Sequence, residues 1–141
     1  LETINTSGLH LLSIINEMLD LTSIEAGKLT LNYSDCCVGD ICDDLQDHMR
    51  LLSARSNAAF TVRCDVQDLV FQCDPVRVRQ VIINLVSNAF KFAPSGHVNL
   101  RIDTVEKEER SYIQVVVSDN GIGIAPENHE KIFENTEFYY L

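Results

Sequence analysis

Apolar residues along this chain recur at helical spacing in three long stretches, and short alternating or β-branched runs fall between them. From Leu1 to Ala26, a broad stripe of Ile4, Leu11, Leu12, Ile15, Met18 and Leu19, widened by Leu9, Ile14 and Leu21, predicts one long helix stopped by Gly27. At about 1.5 Å per residue such a helix is roughly 40 Å long, and so wide a stripe needs partner helices, as in a bundle. From Val38 to Ser56, Ile41, Leu45, Met49 and Leu52 fall on one side of a second helix. The third helix runs from Asp74 to Phe92. Asp74 is suited to cap it and Pro75 to open it, because proline lacks the N–H that would be unpaired there. At about 3.6 residues per turn, Val78, Ile82, Leu85, Ala89 and Phe92 form its apolar stripe, while Arg77, Asn84, Asn88 and Lys91 share a different face.

Strand patterns occupy Leu29–Tyr33, Ala59–Val66 and Leu69–Cys73, the last two joined through Gln67-Asp68. His97–Val105 and Ser111–Ser118 predict a β-hairpin around the charged loop Glu106–Arg110, and Pro94-Ser95-Gly96 predicts a turn before it. Pro126 to Phe133 predicts a short helix. No internal repeat or low-complexity segment is visible. Helical and strand patterns together indicate the α/β class, preceded by the long N-terminal helix.

The polar face of the third helix carries the first candidate chemistry. Two asparagines one turn apart beside a lysine are costly to bury without partners, so something polar should meet them. An amide oxygen suits a hard cation such as Mg2+, which binds through few protein ligands plus substrate phosphates, and the lysine adds positive charge for those phosphates. Alone, Asn-x-x-x-Asn-x-x-Lys is more often a solvated face. The second candidate is Asp119, delivered by a strand to a turn built on Gly121 and Gly123. Glycines permit close approach of a ligand to the backbone, and a carboxylate there can accept a hydrogen bond from an exocyclic amine such as that of adenine.

In this order and spacing the two stretches resemble the N box and G1 box of sensor histidine kinases, within the ATPase superfamily that includes gyrase, Hsp90 and MutL. The matching residues are Asp74-Pro75-Val76-Arg77-Val78-Arg79-Gln80, Asn84-Leu85-Val86-Ser87-Asn88-Ala89-Phe90-Lys91-Phe92 and Asp119-Asn120-Gly121-Ile122-Gly123-Ile124. The resemblance implies a Bergerat-type fold, an α/β sandwich in which a mixed, mainly antiparallel sheet carries helices on one face, binding ATP and Mg2+. It implies that Asn88 ligates Mg2+, Asn84 supports the site, Lys91 contacts the phosphates and Asp119 recognises the adenine amine. Gly121 and Gly123 would shape the pocket, and Phe92 would either line it or serve the core. ATP-hydrolysing relatives typically carry glutamate where this chain has Asn84. An amide cannot take a proton at neutral pH, which favours phosphoryl transfer to another nucleophile over hydrolysis.

An independent stretch, Asn16 to Leu29, resembles the end of the second dimerisation helix of the same kinases and the step into the catalytic domain. This implies residues 1–27 as part of a dimerisation domain and 28–141 as a partial ATP-binding domain, with a homodimer formed through the N-terminal helix. The resemblance further implies phosphoryl transfer to a histidine and onward to an aspartate of a response regulator. The acceptor motif, a histidine followed by an acidic residue, a hydrophobic residue, Arg and then Pro, is not present, and His10 is followed by Leu11-Leu12. The chain is thus expected to begin after the phosphorylation site, without the usual determinants for phosphatase activity. Residues 135–141 do not resemble the phenylalanine motif, lid and second glycine-rich box that normally follow, so an incomplete site and an open sheet edge are expected. The rival reading is a non-catalytic truncated kinase acting as a dimerisation or interaction module.

Bulk properties narrow this further. At 141 residues, 45% hydrophobic and 23% charged, the chain suits about one globular domain. A formal charge of −10 argues against nucleic acid as a partner. No run approaches the roughly 20 apolar residues of a membrane span, which with the family resemblance predicts a cytoplasmic location, the parent protein being membrane-attached or not. The five cysteines form no C-x-x-C pair, so free, mostly buried thiols are expected. Asp43, Asp44 and Asp47 read as a solvated helix face, and His10, His48, His97 and His129 as structural or exposed.

Overall fold

The computed structural model describes residues 15, 18–20, 22–24 and 26–133. The expectations for Ile4, Leu9, His10, Leu11, Leu12, Ile14, Leu21 and residues 135–141 lie outside the described residues. The chain divides into two compact units, Leu1–Asn32 and Tyr33–Leu141.

In the first unit the described residues up to Ile24 are helical, and the helix stops at Gly27 for a conformational reason. Gly27 adopts φ +64°, the left-handed region that glycine enters without a Cβ penalty. The Gly27 N–H then donates to the Ile24 carbonyl and the Lys28 N–H to the Ser23 carbonyl, the paired bonds of a Schellman motif. Ile15, Met18, Leu19 and Ile24 are all exposed on this helix.

The second unit runs β1 (Ser34–Cys37), α1 (Val38–Ser56), β2 (Ala59–Cys64), β3 (Val70–Cys73), α2 (Pro75–Phe92), β4 (His97–Lys107) and β5 (Arg110–Asp119), followed by two 3-10 turns, Pro126–Asn128 and Lys131–Phe133. One sheet has the order β2-β4-β5, with β2 parallel and β5 antiparallel to β4. A second, two-stranded sheet pairs β1 with β3 antiparallel. The α/β architecture matches the expected sandwich. Inward-facing Phe60, Val62, Val98, Leu100, Ile102, Ile113, Val115 and Val117 meet Ile41, Cys42, Leu45 and Met49 of α1 and Ile82, Val86, Ala89 and Phe90 of α2. The Phe60 and Phe90 rings pack with centroids 5.6 Å apart. On the outer face, Arg101 pairs with Asp103 at 3.0 Å and Arg63 with Asp65 at 2.8 Å.

Four expectations are corrected. The first strand is Ser34–Cys37 and not Leu29–Tyr33, because only the later residues find ladder partners, from Ser34↔Cys73 to Cys37↔Val70. The one expected sheet is two, because β2 and β3, adjacent in sequence, pair in different sheets. Pro126 to Phe133 forms two separate 3-10 turns and no continuous helix; the first has no buried residue to reward an α-helical face. On α2, Leu85 and Phe92 are exposed, each at 46%, while Val86 and Phe90 take the core positions.

Candidate functional site

Asp74 fixes where α2 starts. Its Oδ1 accepts from the Val76 N–H at 3.1 Å and the Arg77 N–H at 3.2 Å, satisfying two donors that have no intrahelical partner. The helix then runs to Phe92 with Ile82, Val86, Ala89 and Phe90 on the core side. Asn84, Asn88 and Lys91 are exposed on the other side, and neither amide hydrogen-bonds another described residue. The Lys91 ammonium lies 5.3 Å from the Phe92 ring centroid, a cation–π distance, so charge and ring share the last turn of the helix.

The second half of the site is the turn after β5. The β4–β5 ladder ends at Val98↔Asp119, which leaves Asp119 at the strand's end. Its Oδ1 accepts from the Gly121 N–H at 2.8 Å, and its Oδ2 accepts no hydrogen bond among the described residues. The chain then folds against the end of α2. The Ile122 N–H donates to the Phe92 carbonyl at 3.3 Å. A Cβ at Gly121 would lie 2.3 Å from that same carbonyl oxygen and 2.8 Å from Asp119 Oδ1, so only glycine fits. Gly123 has φ +71°, again a conformation that favours glycine, and Ile122 projects into solvent at 83% exposure.

The two motifs, far apart in sequence, therefore meet. Asn88, Lys91, Phe92, Asp119 and Gly121 belong to one junction between the last turns of α2 and the β5 turn, with Asn84 one helical turn earlier. Exposed Leu85, Phe92, Ile122 and Ile124 surround it with apolar surface. The amide oxygens of Asn84 and Asn88 are of the type that suits a hard cation held mainly by a ligand's own oxygens; among the described residues no three or more His, Cys, Asp or Glu cluster to hold a metal. Sequence reasoning missed that the Phe92 backbone carbonyl is the docking point for the turn. Only Gly121, a residue with no room for a side chain, signalled a close approach there.

Residues 73–140 match the family model described as histidine kinase-, DNA gyrase B-, and HSP90-like ATPase. Residues 73–140 belong to the histidine kinase-, DNA gyrase B-, and HSP90-like ATPase family. The chain is 34% identical over 131 residues to the autoinducer 2 sensor kinase/phosphatase LuxQ of Vibrio vulnificus, covering 91% of this chain and 15% of LuxQ. Against the sensor protein GacS of Pseudomonas syringae pv. syringae the identity is 38% over 142 residues, with 95% of this chain and 15% of GacS covered. The histidine kinase-type fold also matches a crystal structure of full-length ShkA in complex with AMPPNP, at a TM-score of 0.78 and 25% identity, over 91% of this chain and 27% of that one. The chain thus spans about 15% of the length of the sensor kinases it matches.

Outside the junction the histidine kinase-type domain carries little competing chemistry. All five cysteines are free; burial and neighbouring Cys64 push the Cys42 thiol up to about 12, and burial and Cys36 push Cys73 up to about 11. Asp44 pairs with Arg79 of α2 at 2.5 Å and Asp47 with Arg50 at 3.6 Å, and both carboxylates remain exposed on the face of α1. No described helix is long and apolar enough to cross a membrane.

Proposed function

We propose that this chain is the Mg-ATP-binding portion of a two-component sensor histidine kinase. The observation that carries the reading is the junction of Phe92 with Gly121 and Ile122, which brings the Asn/Lys end of α2 to the Asp119 turn. In this reading the unengaged Asp119 Oδ2 accepts the adenine amino group, and the exposed hydrocarbon of Phe92 and Ile122 covers the base. Asn88 donates its amide oxygen to Mg2+, Asn84 supports it one turn away, and Lys91 neutralises phosphate charge. Gly121 and Gly123 leave room for the ligand. The residues fit the nucleotide because the Asn84 and Asn88 amides and Asp119 Oδ2 make no hydrogen bond to another described residue, and the backbone cradle would be filled by a Cβ at Gly121. ATP supplies the transferable phosphoryl group. With Asn84 as an amide no side chain at that position takes a proton from water, so the site directs transfer to a histidine, and from there to a response regulator aspartate. The AMPPNP bound to ShkA supports the nucleotide assignment. Free thiols are consistent with a reducing, cytoplasmic setting.

The test is calorimetric titration with a non-hydrolysable ATP analogue, with and without Mg2+, on the wild type, Asn88→Ala and Asp119→Ala. Magnesium-dependent binding that both substitutions weaken by at least about tenfold supports the reading. A folded chain that releases no heat overturns it in favour of a non-catalytic dimerisation module. That second reading rests on the exposed Ile15, Met18 and Leu19, which share one face of the N-terminal helix fitted to a second copy. A strictly monomeric mass on size exclusion would remove its support.

A further inference from the structure

The Asp119 turn is joined to the rest of the domain by few bonds, and the shortest of them is made by a side chain with no assigned role. The His97 N–H donates to Asn120 Oδ1 at 2.7 Å, and the Asn120 N–H returns a bond to the His97 carbonyl at 3.3 Å. The remaining tie, from the Ile122 N–H to the Phe92 carbonyl, is 3.3 Å long. His97 opens β4 immediately after the turn by which the chain leaves α2. That turn is itself tightly built: the Gly96 N–H donates to the Ala93 carbonyl at 3.0 Å, and Ser95 sits at φ +59°. Gly96 is the residue the Asn120 amide lies against. A Cβ there would stand 2.3 Å from Asn120 Oδ1, closer than any real contact allows, and 3.1 Å from the Ala93 carbonyl.

We infer that Asn120 is a positioning residue, whose amide clamps the turn bearing Asp119 to the exit of the helix bearing Asn88 and Lys91. The inference rests on the nucleotide reading above and adds a specificity determinant to it. Asp119 has its own Oδ1 committed to Gly121 N–H, so the direction of its other oxygen follows the backbone of the turn. That backbone is set on one side by the last β5 rung and on the other by Asn120. With the amide gone, the turn keeps only the longer bonds, and the carboxylate loses its fixed orientation toward an amino group. Selectivity for that amino group is the property that should suffer first, because a misdirected hydrogen bond forfeits discrimination before it forfeits stacking or phosphate contacts.

The experiment compares the affinity of the whole chain for ATP with that for purine riboside triphosphate, which lacks the 6-amino group, in the wild type, Asn120→Ala, Gly96→Ala and the double variant, with thermal unfolding of each. The wild type should prefer ATP by about tenfold, the scale of one hydrogen bond to a charged group. Asn120→Ala should reduce that preference to about twofold or less, and Gly96→Ala should reduce it too by displacing the same amide. In the double variant the losses should not add, because both changes remove one clamp. A preference that survives in Asn120→Ala, with only the melting temperature lowered, would make Asn120 a plain structural residue and overturn the inference. Fully additive losses would overturn the clamp as well. A folded wild type with no preference for ATP would instead overturn the adenine reading itself, and is read from the wild type alone.

Discussion

The two sides of α2 are built from the same helix and do opposite things. One side seats Ile82, Val86, Ala89 and Phe90 in a core where Val86 has no exposed surface. The other leaves Asn84, Leu85, Asn88, Lys91 and Phe92 in solvent, two of them large hydrophobes. A globular domain has no folding reason to expose Leu85 and Phe92 while two amides beside them go without partners. The difference teaches that burial is concentrated on one face, while the other is the face on which the proposed nucleotide site lies.

The sharpest way to break that contrast is to damage the buried side. Leu100 lies at 1% exposure under α2, and Leu100→Ala should destabilise the domain by about 2–5 kcal/mol through lost burial and the cavity left behind, read as a fall in the urea midpoint. The affinity of the remaining folded population for nucleotide should stay unchanged. A stability loss under about 1 kcal/mol would mean that the sandwich is not the source of stability.

The buried thiols probe the same side. Cys42, raised from 9.0 to about 12, and Cys73, raised from 9.0 to about 11, hold their protons in the folded state. At a given neutral pH each should alkylate at least about a hundredfold more slowly than after unfolding, because so little thiolate is present. The folded chain binds more protons than the unfolded chain between about 9 and 12, so this contribution is intact below about pH 9 and is lost as the pH rises through that window. Denaturation midpoints measured from pH 8 to 11 check it; a midpoint rising with alkali would contradict it.

On the open side, Asn88→Ala should cost about 10–100-fold in magnesium-dependent nucleotide affinity, the range seen when a metal's surroundings are disturbed. Its unfolding free energy should move by no more than about 0.5 kcal/mol, as for other exposed positions. A large stability change with unaltered affinity would erase the contrast between the two faces. Smaller effects sharpen it. Asp74→Ala removes the cap that serves both faces and should cost about 1 kcal/mol by calorimetry. Leu85→Ser should change stability by less than about 0.5 kcal/mol despite removing a leucine, whereas a core leucine would cost several times more.

Much of this arrangement was legible in the chain itself. The bounds of Val38–Ser56, the Asp74 cap with Pro75 behind it, the Gly27 stop and the β4–β5 hairpin all depend on neighbours within a few residues, so local pattern suffices. The motif residues were legible as types, two amides and a lysine on one helix face and a carboxylate in a glycine turn. Their meeting was not, because it depends on a backbone carbonyl, Phe92 O, that no residue type announces. The stripe expected through Leu85 and Phe92 failed for a related reason. Period alone cannot tell which of two adjacent apolar positions faces the sheet, and here Val86 and Phe90 won because Phe90 meets Phe60.

By itself, then, the sequence determined the helix limits and caps, the hairpin, the free thiols and the kinds of chemical group available, since each follows from side-chain chemistry and short-range periodicity. Tertiary structure alone decided that β2 and β3 part into different sheets, that the first strand waits until Ser34, and that Leu85 and Phe92 of α2 stay in solvent. It also decided that the Asp119 turn seats on the end of α2, with Asn120 holding it to the start of β4. These outcomes depend on which surfaces are present to pack and which backbone groups still lack partners, and both are known only once the distant elements have come together.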